Sequence, residues 1–411
     1  MKLRFQFGFL PLLILLIGLG GILINVLSPR DIGMGDTFER APANPIAVYV
    51  GMALTGIILA ICSFKILFVT LKGRVPSGAS GILFYYLLFF LCTVLITAVV
   101  GRGTFVINLL YAPIIFAAVY VARPMPTAQL MFLSKSILLV YVYGSLLAAV
   151  LVPSWALMGP YVTILPGVDT RLFGLSSQAN QLGPLIAAYL AIEFFSPTRS
   201  RLRTIHLVAA LFVLVWAQSK TSWVFVLLAI AYLVFIKIEQ ALFPQSNSRR
   251  HYAKIVFYCS GMLAGAVLIA GLINLVPVNS GTGIETLTGR TAIWAITLQA
   301  WADNPIFGYG LGLWDIDFRT KYGMPFAGQA HNQFIHTLGS SGLVGLFGLL
   351  MYLGALAKRA INIAKINPVA LALLFLIVVE CMTEAPLRNG NILTGFFFLQ
   401  LLLFAQLRSD K

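Results

Sequence analysis

Long apolar runs recur from one end of this chain to the other, each close to the roughly 20 residues that a helix needs to cross about 30 Å of hydrocarbon. They cover about 8–28, 45–69, 80–99, 103–121, 129–153, 179–197, 204–219, 221–238, 254–277, 340–357, 368–384 and 391–407. In lipid every backbone polar group must be bonded internally, so such runs predict helices. The expected fold is an all-α integral membrane protein, a single polytopic domain over 1–411 with about 12 transmembrane helices. A chain that is 59% hydrophobic and 10% charged, with a mean hydropathy of +0.92, is far from a soluble domain. The first run follows Lys2 and Arg4, and no small-residue cleavage site comes after it, so it reads as a retained span.

The net charge of +15 does not point to nucleic acid, because the basic residues are scattered among short loops. Such scatter orients a membrane protein. With the N-terminus inside, most of the 28 basic residues fall on the inner face, among them Lys2, Arg4, Lys72, Arg74, Arg123, Arg199, Arg201, Arg203, Lys237, Lys358, Arg359 and Arg408. Arg30, Arg40, Arg102, Arg171, Lys220, Arg290, Arg319, Lys321 and Arg388 fall outside, and an even number of crossings puts both termini in the cytoplasm. Cys62, Cys92, Cys259 and Cys381 all lie in apolar runs, where they read as packing residues rather than disulfide partners.

One connection is far longer than the rest, spanning 278–339 on the outer side just before the tenth run. Within it, Trp294, Leu298 and Trp301 share a helical spacing ahead of Asn304-Pro305, which predicts a short interfacial helix. The glycines of Phe307-Gly308-Tyr309-Gly310-Leu311-Gly312 permit tight turns or a close backbone approach to a ligand, but there is no strand or basic residue to make this a nucleotide site. Asp315 and Asp317 are too short a pattern to argue for a metal, and none is expected. The segment 153–178 is the next longest outer stretch.

Candidates for chemistry gather on the same side. His331 enters the tenth run from outside, where an imidazole can accept a proton near neutral pH, with a helix cap as the alternative. His336 is expected to point away from it, about 140° around a common helix, which disfavours a two-histidine metal site. Glu380 and Glu384 are one turn apart near the outer end of the eleventh run, where a buried carboxylate is costly; either a functional role or pairing with an arginine such as Arg388 would account for them. Arg171, Lys220, Arg290, Arg319 and Arg388 are outer cations able to hold a multiply charged anion. Lys220 sits in Gln218-Ser219-Lys220-Thr221-Ser222, a polar break that forces its charge to the boundary.

Four segments in order then resemble the O-antigen ligase and polysaccharide polymerase superfamily of bacterial inner membranes. They are Arg171-Leu172-Phe173-Gly174 with Asn180-Gln181-Leu182-Gly183; Ser219-Lys220-Thr221; Gly289-Arg290 with Trp294 and Asn304-Pro305-Ile306-Phe307-Gly308-Tyr309-Gly310; and Ala330-His331-Asn332 with Gly342-Leu343-Val344-Gly345. They span a core of 170–350, so the long connection becomes a large periplasmic loop containing short interfacial helices.

The resemblance implies a periplasmic-face glycosyltransferase. Its donor would be an undecaprenyl-diphosphate-linked glycan and its acceptor a glycan or lipid A-core, with membrane lipids around it and a chain-length regulator protein as a further partner. It implies catalytic duty for His331 and Arg290 and substrate contacts for Lys220, Arg171, Arg319, Asn180, Asn332 and Trp294, without a cofactor. Lysine in the Ser-Lys-Thr turn, where many ligases have arginine, tilts the expectation to polymerase over O-antigen ligase. A transporter or flippase is the alternative of another class, disfavoured because there is no repeated half pattern and the polar residues collect in one loop rather than at midplane.

Overall fold

The computed structural model describes residues 8–30, 44–73, 80–159, 167–242, 287–324, 327–388 and 390–408. These are mostly helical. The helices are α1 (Phe9–Leu27), α2 (Pro45–Leu71), α3 (Ser80–Phe90), α4 (Ile96–Val100), α5 (Tyr111–Val121), α6 (Thr127–Leu151), α7 (Pro153–Ala156), α8 (Ala179–Phe195), α9 (Arg203–Ala217), α10 (Lys220–Leu242), α11 (Leu287–Ala302), α12 (Ile316–Lys321), α13 (Gln333–Ile363), α14 (Pro368–Cys381) and α15 (Gly395–Arg408). A π turn, Leu91–Leu95, joins α3 to α4 as one rod, and a 3-10 turn, Ile107–Leu110, leads into α5. β1 (Leu157–Met158) and β2 (Arg171–Leu172) pair antiparallel.

Every expected apolar run within the described residues coincides with a helix, and the run at 254–277 lies outside them. Among the described residues six helices are long and apolar enough to cross a membrane, which makes this a multi-pass membrane protein, and several shorter apolar helices accompany them. The helix expected over 340–357 starts earlier, at Gln333, because Asn332 accepts the Ile335 amide at 3.0 Å and caps it.

α8 is the axis of the bundle. It is buried along nearly its whole length and packs on α6, α9, α10, α14 and α15. Residues such as Leu182, Ile186, Ala187 and Leu190 are apolar around the full turn, as a helix enclosed by other helices must be. By contrast, Tyr49, Met52, Phe64 and Leu71 on α2 are exposed, as expected of a helix whose solvent is lipid.

Helix ends fall on two faces. At one, α6, α8 and α9 are tied by Glu193, which pairs with Lys135 and Arg203, each at 2.7 Å. On that face α15 ends where Arg408 donates to the Ala122 carbonyl after α5. At the other, the end of α9, the starts of α8, α10 and α13, and the end of α14 converge, and about 25 Å of α8 separates the two. The polar candidates belong to this second face.

Candidate functional site

The start of α8 and the turn between α9 and α10 come together first. Gly183 faces Ser219 so closely that a Cβ there would lie 2.2 Å from the serine Cβ, so glycine is required for the approach. Gln218 caps α9 with a left-handed backbone, φ +50, and its amide donates to the Thr170 carbonyl at 3.1 Å. Arg171 then donates through Nε to the Ala217 carbonyl at 2.8 Å and through a terminal nitrogen to the side-chain oxygen of Asn180. A cation on the last carbonyls of a helix completes them and opposes the negative end of its dipole. Arg171 thus braces the turn that presents Lys220, which is exposed at the first position of α10.

Asn180 leads to the centre of the cluster. Its Nδ2 donates to Oε1 of Glu384 at 2.8 Å, and a terminal nitrogen of Arg290, from α11, lies 3.5 Å from the same oxygen. On the other carboxylate oxygen, Gln329 Nε2 donates at 2.6 Å and His331 Nδ1 lies at 3.0 Å. Glu384 is only 2% exposed, whereas Arg290 and His331 are about a quarter exposed. A carboxylate buried alone costs several kcal/mol, and here a ring of donors offsets that cost. In the tautomer that directs Nδ1–H at the carboxylate, Nε2 is the accepting nitrogen.

His331 sits in the left-handed region, φ +48, which costs a residue with a Cβ about 1 kcal/mol or more. Asn332 holds it there: its Oδ1 caps α13, while its Nδ2 donates to the Met382 carbonyl at 3.0 Å just after α14. The expected 140° divergence of His331 and His336 does not apply, since His331 precedes the helix and only His336, buried in the first turn, belongs to it. One turn before Glu384, Glu380 is also buried and accepts from Ser222 Oγ at 2.8 Å, next to a hydrogen bond between Thr221 and Thr383.

The glycine-rich segment 307–312 meets backbone rather than leaving room for a ligand. Tyr309 and Gly310 amides donate to the Gly339 and Ser340 carbonyls at 2.8 and 2.9 Å, and the Leu343 and Val344 amides donate back to Pro305 and Ile306. α13 is broken there, with Gly342 at φ +61, and the loop takes over the bonds that the helix gives up. Arg102, beyond α4, adds a third strand of backbone, its N–H and C=O bonded to the Tyr309 carbonyl and Gly312 amide at 2.9 Å each. A Cβ on Gly310 would lie 2.0 Å from the Arg102 nitrogen. This clamp fastens the loop bearing Arg290 to the helix that follows His331.

Other candidates fall elsewhere. Trp294 donates to the Ala330 carbonyl at 2.8 Å and packs on a small core of Ile293, Ala300, Leu313, Trp314 and Phe318. The buried stripe of α11 is Ile293, Thr297 and Ala300, one step from the tryptophan stripe, and Leu298 stays exposed. Arg319 is buried in α12 with its Nε on the Asp315 carbonyl, and Asp315 caps α12 through the Phe318 amide. Arg388 donates to the Gly328 carbonyl, and the arginine beside Glu384 is Arg290.

Arg290, His331, Asn180 and Gln329 therefore surround one carboxylate on a single face, beside the Arg171-braced turn that presents Lys220. Comparison with known proteins adds what the chain is similar to. Residues 205–350 match the O-antigen ligase family. The chain is also 30% identical over 157 residues to the exopolysaccharide production protein ExoQ of Rhizobium meliloti (strain 1021), a match covering 35% of this chain and 34% of that protein. The chain thus matches about a third of the length of that curated relative. Both matches support the resemblance read from four short motifs to the O-antigen ligase and polysaccharide polymerase superfamily. The family segment contains Lys220, Arg290 and His331 but ends before Glu384 and begins after Arg171 and Asn180. Gln329 was not singled out from the sequence, since a glutamine two residues before a histidine carries no distinguishing pattern.

Proposed function

We propose that the chain is a glycosyltransferase of the bacterial inner membrane, crossing it twelve times with both termini cytoplasmic and the Glu384 cluster at the periplasmic face. It moves an oligosaccharide from an undecaprenyl-diphosphate carrier to an acceptor sugar hydroxyl. The observation that carries this reading is the convergence of Arg290 and Lys220 with His331 around one site in a chain related to O-antigen ligases.

The chemistry needs no external energy source, because a diphosphate is already a good leaving group. The acceptor oxygen bonds to the anomeric carbon while the bond from that carbon to the diphosphate oxygen breaks. The hydroxyl proton passes to His331 Nε2, and Arg290 and Lys220 hold the charge that collects on the departing diphosphate. Arg171 keeps the Lys220 turn in place, and Arg319 supports the loop from within.

Polymerisation of a surface polysaccharide is favoured over ligation to lipid A-core by the lysine at 220 and by the likeness to a protein named for exopolysaccharide production. Purified protein given an isoprenyl-diphosphate oligosaccharide and an acceptor glycan should form longer glycan, and Arg290→Ala should lower that rate about 100-fold or more. Accumulation of glycan in sealed vesicles without any new glycosidic bond would favour a transporter instead. In a deletion strain, single repeat units left on the carrier mark a polymerase, and full-length chains stranded there mark a ligase.

A further inference from the structure

Glu384 divides its charge between two jobs. Oε1 faces Asn180 and Arg290, and Oε2 faces Gln329 and His331. The guanidinium contact is the loose one, at 3.5 Å, against 3.0 Å to the imidazole. Arg290 is also the cation that the proposed function gives to the diphosphate. Resting on that reading, we propose that Glu384 is the resident counter-ion of Arg290, and that the donor diphosphate takes Arg290 from it and turns the carboxylate wholly to His331.

The handover couples donor binding to the strength of the base. A diphosphate brings two or more negative charges to Arg290 and Lys220, so the carboxylate no longer has to neutralise the guanidinium. Its remaining cationic partner is the imidazole, whose protonated form it then stabilises more strongly as the acceptor gives up its proton. Around the pair stand Asn180 from α8, Lys220 from α10, Arg290 from α11, Glu380 from α14, Arg171 from β2 and, near His336, Arg388. The donor would bind before the acceptor can react, which guards a high-energy carrier against transfer to water. Glu384 is a positioning residue in this scheme, since it touches neither substrate.

The test uses the full chain in nanodiscs with undecaprenyl diphosphate as the probe. Glu384→Gln keeps the size of the side chain but removes the competing charge, so it should bind the probe three- to tenfold more tightly while transfer falls at least tenfold. Glu384→Asp should restore part of the transfer. Weaker probe binding in Glu384→Gln would overturn the proposal, because a merely structural role loses binding and transfer together. The unaltered protein gives a second reading by calorimetry in buffers of different ionisation heat. Probe binding near neutral pH should take up a fraction of a proton, and His331→Gln should abolish that uptake; no difference between the two proteins would overturn the handover. If the unaltered protein does not bind the probe at all, the proposed function falls and takes this inference with it.

Discussion

Glu193 and Glu384 are both carboxylates almost fully shielded from solvent, one at each end of the bundle, and their surroundings differ in kind. Glu193 is saturated: Lys135 and Arg203 lie at 2.7 Å, and Thr198 donates its amide at 2.6 Å and its hydroxyl at 2.8 Å. Two full cations and two local donors close that site, which staples α6, α8 and α9. Glu384 is held by two neutral amides, a histidine that is charged only when protonated, and an arginine at 3.5 Å. Buried charge alone therefore does not mark function. What separates the two is how their partners hold them: two full cations at 2.7 Å at Glu193, and a single arginine at 3.5 Å beside neutral donors at Glu384.

The largest effect should separate the two ends by activity. His331→Ala is expected to lower transfer per folded molecule about 100- to 10,000-fold, the usual loss of a general base. Glu193→Gln should leave that rate within about twofold, and equal losses in both would erase the contrast. Next comes stability: Glu193→Ala leaves Lys135 and Arg203 without their anion and should cost about 3 kcal/mol, read as a lower midpoint in a thermal melt in detergent. The clamp offers a smaller test. Gly310→Ala drives a Cβ into the Arg102 backbone at a φ of +123 and should cost about 2–3 kcal/mol, with a loss of transfer that follows the loosened loop.

The sequence made most of the helices legible because hydrocarbon thickness fixes their length, and α1, α2 and α10 need nothing but that rule. Of the candidates that the fold gathers on one face, Lys220 was legible as a charge forced to the boundary, and Arg290 and His331 through the family resemblance. Glu384 could be seen as a costly carboxylate but not as the hub, since its partners come from positions 180, 290, 329 and 331 and only folding brings them together. Gly308, Gly310 and Gly342 were legible as glycines without a partner; long-range backbone pairing leaves no periodic trace in a sequence.

Everything functional here depends on which compartment the Glu384 end of the bundle faces. With the native cysteines replaced, Thr320→Cys on α12 and Arg201→Cys before α9 place single exposed thiols at opposite ends. A membrane-impermeant maleimide applied to intact spheroplasts should label position 320 and reach position 201 only after the membrane is opened. Labelling of 201 in intact cells, with 320 protected, would put the cations and the imidazole in the cytoplasm and contradict the account.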